Sequence, residues 1–219
     1  MQTKNPKYKN QGIHVIVSLL TVVDGKFKVL LVKRKNKPYM DYWALIGGAV
    51  YNNETLEDAL ARELYEKSGI ENVIPMQFKI FSDPNRAKET GFRMLGIAYV
   101  GLIDASAVTF IKETAKTSDI DWFDVDAVPT LAYDHNEVLI SAINHLKNKI
   151  YKPSILKTLF PDTVTIPEIQ SVVEAVLGNT LDRRNFRKKL LSDGVIQDTN
   201  LEKIIPGKKP SKLYTIIDK

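Results

Sequence analysis

The run HVIVSLLTVV, residues 14–23, most narrows what this chain can fold into. It carries no Lys, Arg, Asp or Glu, and its β-branched side chains favour a strand. It is also far shorter than the roughly 20 residues that span a bilayer. A buried strand is the remaining choice, and a sheet must form around it. VDG then turns the chain, and KVLLVKRK (28–35) makes a second strand. WALIGGAV (43–50) is a short strand that runs into glycines. FKIF (78–81) and FRMLGIAYVGLI (92–103) are strands on either side of the polar loop SDPNRAKETG, and IDWFDV (120–125) is a further one. Two helices are predicted, from Glu54 to Ser68, where Gly69 stops the first, and from Asn136 to Asn148. Strands flanking two helices make an α/β sandwich the simplest architecture for residues 12–150, after a basic arm over residues 1–11 that is expected to be flexible.

Around NKIYKPS the pattern changes, and residues 151–219 read as a second, smaller α+β domain. TIPEIQSVVEAVLG opens with the capping pair Thr165 and Glu168, and Ile166, Ile169, Val172, Val173, Val176 and Leu177 form one helical stripe. After GNT, Asp182 caps a second helix, RRNFRKKLLS, which ends at Gly194. VIQD and LYTII are strands joined by TNLEKIIPGKKPSK. Helix, turn, helix and basic-looped hairpin is the order of a winged helix-turn-helix. Charge supports the division. Of 31 Lys and Arg and 26 Asp and Glu, 12 and 8 lie in Tyr151–Lys219, so +4 of the net +5 falls there. That excess points to a polyanionic partner. The absence of Cys excludes disulfides, thiolate metal sites and a cysteine nucleophile. The opening MQTKNPKYKNQG has no apolar core of a signal peptide, and the expected location is cytoplasmic, with no membrane association.

The first helix raises a problem. At 100° per residue, Ala59, Leu60 and Leu64 share an apolar arc into which Glu63 and Lys67 also project, with Glu66 at its edge. Charged residues are rarely buried without a partner. Helical spacing alone favours a simple i,i+4 pair between Glu63 and Lys67. The alternative is a cleft in which carboxylates meet a divalent cation and a phosphate.

Gly48, five residues, Glu54, seven residues, then Arg62-Glu63-Leu64-x-Glu66-x-x-Gly69-Ile70 resembles the Nudix box. The resemblance implies an α/β/α Nudix sandwich with a mixed sheet, in which this helix handles a nucleoside diphosphate linked to another group. It also implies Glu63 and Glu66 as Mg²⁺ ligands. The match fails at Lys67, where the family has a second glutamate. At about 4 Å and an effective dielectric near 20, each unit charge interaction is worth roughly 4 kcal/mol, so Lys67 opposes a nearby Mg²⁺. The expectation is a pocket that binds a Nudix-type ligand without requiring a cofactor, holds Mg²⁺ weakly, and hydrolyses poorly or not at all. Arg34, Trp43, Gly48, Glu63, Lys67 and Arg86 are the candidate ligand-binding residues. His135 is expected to pack or hydrogen-bond, behind a capping Asp134.

In DRRNFRKKLLSDG, Phe186 and Leu190 anchor the helix while Arg184, Asn185 and Lys188 point away, flanked by Arg183, Arg187 and Lys189. Arg and Asn suit base edges in a major groove, and Lys208, Lys209 and Lys212 would place a wing on the backbone. A solvated basic helix is the bland alternative. The whole order is similar to the Nudix-related transcriptional regulators, with DRRNFRKKL its most specific part. That similarity implies a homodimeric repressor on a palindromic double-stranded operator, with a degenerate Nudix pocket sensing ADP-ribose or a sugar derivative; the best-known members control NAD-biosynthesis genes. The assigned DNA-binding set is Arg183, Arg184, Asn185, Arg187, Lys188, Lys208 and Lys209. The competing reading is an ADP-ribose-type pyrophosphatase with an accessory C-terminal domain. A single-strand or RNA-binding protein fits less well, because the basic region lacks an aromatic stacking row.

Overall fold

A computed structural model of the chain describes residues 11–204, 206–207 and 209–217. The expected arm therefore lies outside the described residues, apart from Gln11, which opens the first strand. The apolar run forms β1 (Gln11–Val23), buried from Val15 to Thr21. Asp24 and Gly25, both at positive φ, turn it into β2 (Lys26–Arg34). Next come β3 (Trp43–Ala44), β4 (Ile46–Ala49), β5 (Met76–Phe81), β6 (Arg93–Leu102) and β7 (Thr117–Asp124). All seven strands join one sheet in the order β3-β2-β1-β6-β5, with β4 paired to β1 and β7 to β2.

Helix α1 (Leu56–Ser68) starts two residues later than expected. Thr55 caps it: its side chain accepts from the Asp58 amide, while the Asp58 carboxylate accepts from the Thr55 amide. Such a cap is worth about 1 kcal/mol. Glu54 consequently precedes the helix, and its carboxylate accepts from the Tyr51 amide at 2.9 Å. Gly69 ends the helix at φ 72°, as its position predicts. Helix α2 spans His135–Lys149.

Further along lie α3 (Pro153–Leu159), β8 (Thr163–Thr165), α4 (Ile166–Leu177), α5 (Arg183–Ser192), β9 (Ile196–Lys203) and β10 (Ser211–Ile216). The last three strands form a second sheet, β8-β10-β9. The helix–helix–hairpin order is present. Both α3 and β8 went unforeseen because seven and three residues are too few to set up a periodicity. Ile169 and Val173 of α4, Phe186 and Leu190 of α5, and Tyr214 of β10 are buried.

Two compact units divide the described residues. One takes those up to Leu20 with Lys28–Gly101 and Ser106–Ala142; the other takes Thr21–Phe27, Leu102–Ala105 and those from Ile143 onward. Among the described residues, no helix is long and apolar enough to cross a membrane.

Candidate functional site

The glycine turn is built by strand register. β4 pairs antiparallel with β1, so that Gly48 faces Val15 and Gly47 faces Ile16, and α1 packs on β4. A Cβ at Gly48 would collide with the Glu63 carboxylate. The turn is therefore glycine so that a buried acid on α1 can approach the backbone.

Around Glu63, three cations meet three acids. Arg62 places Nε 2.5 Å from Glu54 Oε1 and Nη1 2.5 Å from Glu63 Oε1, and Nη1 lies 3.4 Å from Glu66 Oε2. Lys67 Nζ stands 3.0 Å from Glu63 Oε2 and donates to the Gly47 carbonyl. Lys116 pairs with Glu66 and lies 3.8 Å from Glu63 Oε1. The helical wheel puts Arg62 on the far side, yet its long stem curls back over the acids and stacks on Tyr51 at 4.0 Å. Hydrogen bonding from Lys116 holds the Glu66 carboxyl below its usual pKa, and that from Arg62 does the same for Glu54. Burial pushes the Lys67 ammonium below its ordinary value despite the Glu63 charge. Burial acts on Lys116 too, but its partners Glu66 and Glu63 outweigh it and raise the pKa.

The cluster forms one wall of a cleft of about 220 Å³ lined by Arg34, Gly47, Gly48, Glu63, Lys67, Arg86, Lys116 and both His14 and His135. Its charged lining is mostly cationic, which suits an anionic ligand. Arg86 is 7% exposed. Its Nε and Nη2 clasp Asp134 at 2.6 and 3.1 Å, while Nη1 is buried with no hydrogen-bond partner. Asp134 thus holds Arg86 with the carboxylate that was expected to cap α2. Arg34 turns its guanidinium towards the Pro38 carbonyl at 2.9 Å and the Tyr133 hydroxyl at 3.3 Å.

His135 accepts from the Leu45 amide at Nδ1, 3.1 Å away, the hydrogen-bonding role expected of it. Burial, reinforced by Arg86 and Lys67, lowers its pKa to about 3. His14 falls to about 4 for the same reasons. The structure therefore brings Arg34, Gly48, Glu63, Lys67 and Arg86 to one cleft. Trp43 is not among the lining residues; its ring packs edge-on against Phe123 at 4.6 Å. Glu66 is not among the lining residues and pairs with Lys116. Sequence reasoning missed His14, Lys116 and Tyr133, which come from elements far from the box.

The second candidate site lies on α5. Asp182 caps it by accepting from the Asn185 amide at 2.8 Å. The preceding turn is fixed by Gln170 and Glu174 of α4: Gln170 donates to the Leu181 carbonyl, and Glu174 accepts from the Leu181 amide at 2.7 Å. Phe186 and Leu190 face inward, so Arg183, Arg184, Asn185 and Lys188 are left exposed on the outer face. Arg187 is exposed as well, and its Nε donates to the buried Tyr214 hydroxyl at 2.8 Å. Lys189 pairs with Asp193 and Lys212 with Asp198, which draws both towards structural roles. Strand β9 continues to Lys203 and β10 begins at Ser211, both within the segment expected to be loop. Lys209, between the two strands, is exposed; Lys208 lies outside the described residues.

Comparison with known proteins matches both parts. The family model described as NUDIX domain matches residues 12–142, and that described as NrtR DNA-binding winged helix domain matches residues 157–216. The chain is 29% identical over 217 residues to an ADPR responsive transcriptional repressor, NtrR, of Acinetobacter baylyi, covering 97% of this chain and 85% of that protein. Shewanella oneidensis NrtR, solved with a 27mer DNA, superposes with TM-score 0.72 at 26% identity, covering 94% of this chain and 93% of that one. The NUDIX domain of the same Shewanella protein, solved with ADP ribose, superposes with TM-score 0.57 at 30% identity, covering 65% of this chain and 93% of that one.

Proposed function

The chain belongs to the NUDIX family and carries an NrtR-type winged helix domain, and from that premise we propose that it is an ADP-ribose-responsive transcriptional repressor. The observation that carries this reading is similarity along nearly the whole chain to a repressor of that description, with both candidate sites present on the matched parts. The protein acts in the cytoplasm as a homodimer on a palindromic operator. Arg184 and Asn185 of α5 reach base edges, while Arg183, Lys188 and Lys209 hold phosphates. Arg187, braced by Tyr214, fixes the angle at which α5 is presented.

ADP-ribose binds in the cationic cleft, with its diphosphate towards Arg86 and Lys67. Control follows from linkage: the effector favours a dimer geometry whose two recognition helices no longer match the half-site spacing. The ligand must bind the two geometries with different affinity for this to work. A gel-shift assay on DNA upstream of the gene tests it: ADP-ribose should release the complex, and a shift untouched by ADP-ribose would argue against the reading.

A further inference from the structure

The Nudix family implies a divalent cation on the acids of α1, and the donor set here does not fit one. A hard divalent cation needs several free oxygen ligands. Glu63 already faces Arg62, Lys67 and, more distantly, Lys116, and Glu66 faces Lys116 and Arg62. Glu54, the third acid, is held by Arg62. Three carboxylates against three cations leave the cluster neutral without any metal. An added Mg²⁺ would have to displace these cations or sit beside them at an unfavourable net charge. Among the described residues, no group of three or more His, Cys, Asp or Glu is arranged to hold a metal.

The position of Lys67 explains the replacement. Its ammonium lies between Glu63 Oε2 and the Gly47 carbonyl, two oxygens of the kind a divalent cation would take. An ammonium has three donors, so one remains for a ligand in the cleft. Lys116 is also part of the lining, and its side chain is 36% exposed. The turn that carries it is fixed by Thr114, whose Oγ1 accepts from the Lys116 and Thr117 amides. Arg86 on the same cleft pairs with Asp134 through Nε and leaves Nη1 with no hydrogen-bond partner among the described residues, a donor that a ligand oxygen can take.

We propose that Lys67 and Lys116 stand in for the divalent cation, making this a metal-free diphosphate site in which the acids of α1 hold ammonium groups against the ligand instead of a metal. Lys116 is thereby a direct ligand of the effector diphosphate. Lys116 leaves Glu66 for the diphosphate while Arg62 retains Glu66, and Arg34 and Arg86 on the same cleft add positive charge towards the anion. The inference rests on the reading of the cleft as the effector site.

The test uses the full chain in two measurements. Calorimetric titration with inorganic diphosphate and with ADP-ribose is run in EDTA and again in millimolar Mg²⁺. Manganese binding to the unliganded protein is followed by its electron paramagnetic resonance. The expected results are diphosphate binding in EDTA and no gain in affinity with Mg²⁺. Lys116→Ala should weaken binding by about tenfold or more, as loss of a charge-assisted contact does. Manganese should not bind saturably. Because Lys116 is half-exposed, that variant keeps the test sound where Lys67→Met fails to fold. The proposal is overturned by a tenfold or larger gain with Mg²⁺, by saturable manganese binding that Glu66→Gln abolishes, by unchanged affinity in Lys116→Ala, or by no diphosphate binding in EDTA. If diphosphate binds as expected and ADP-ribose does not, the effector assignment fails and the metal-free site stands.

Discussion

Lys67 Nζ and Glu63 Oε2 face each other at 3.0 Å across one turn of α1, in a setting where the Glu63 side chain is 4% exposed and the Lys67 side chain 15%. Neither charge is tolerable alone at that depth, since removing one partner of a buried pair costs about 3–5 kcal/mol. Lys67→Glu removes the cation and adds a second acid beside the first. The variant should lose thermal stability in EDTA and regain part of it with Mg²⁺, while the native chain should not respond to Mg²⁺. Identical Mg²⁺ responses of the two proteins would mean that Lys67 does not exclude the metal.

Arg86 depends on a glycine across the sheet. A Cβ at Gly96 of β6 would come within 2.7 Å of the Arg86 Cζ. Overpacking of this kind costs about 1–3 kcal/mol, and the guanidinium must shift to relieve it. Gly96→Ala should therefore lower the melting temperature and weaken ADP-ribose binding together. Calorimetry and a thermal melt on one preparation check this, and undiminished binding would place Arg86 outside the effector site.

Buried His135 couples stability to pH. Its folded pKa of about 3 lies below the ordinary histidine value of 6.5, so the folded state disfavours the proton that the unfolded chain takes up. Its contribution is complete above pH 6.5 and is lost as pH falls towards 3. By linkage, lowering the pH from 7 to 5 should remove about 2 kcal/mol through this residue. His135→Gln keeps an acceptor for the Leu45 amide but does not titrate, so its melting temperature should fall less over the same interval. Parallel pH profiles would show that another group governs acid sensitivity.

On the winged helix, three basic residues should behave differently. Arg184→Ala should cost about 1–3 kcal/mol on specific DNA and relax sequence preference. Lys209→Ala should weaken all sequences alike and lower the salt slope by about one. Arg187→Ala should also lower thermal stability, because Tyr214 loses the partner of its buried hydroxyl. Fluorescence anisotropy on operator and random duplexes separates them. Equal losses for Arg184→Ala and Lys209→Ala on both DNAs would contradict the assignment of α5 as the reading helix.

Much of this was legible in the sequence because local chemistry encodes it. Thr165 and Glu168 form the capping box that their spacing predicts, Asp182 caps α5, and Gly69 and Gly178 end their helices in the left-handed region. The Glu63–Lys67 pair follows from helical spacing alone. Illegible were contacts that the sheet brings in from far along the chain. Lys116 reaches Glu66 across 50 residues, and Tyr133 reaches Arg34 across 99. Trp43 adjoins the glycine turn in sequence, but its ring packs on Phe123 and it is not among the cleft's lining residues. Helical spacing places Arg187 on the flank of α5 and cannot show that its Nε also donates to the Tyr214 hydroxyl of β10.

On the reading proposed above, ADP-ribose controls DNA binding through the Nudix-like cleft. The most direct test is the affinity of the full chain for its upstream operator, measured by anisotropy at fixed salt while ADP-ribose is titrated. Coupling free energies of 1–3 kcal/mol correspond to about 5–150-fold in affinity. Operator affinity should fall saturably within that range, with no fall for ribose 5-phosphate and none in a Lys67→Glu, Lys116→Ala double variant that still binds the operator. Tight operator binding that ADP-ribose leaves unchanged at every concentration would contradict that reading.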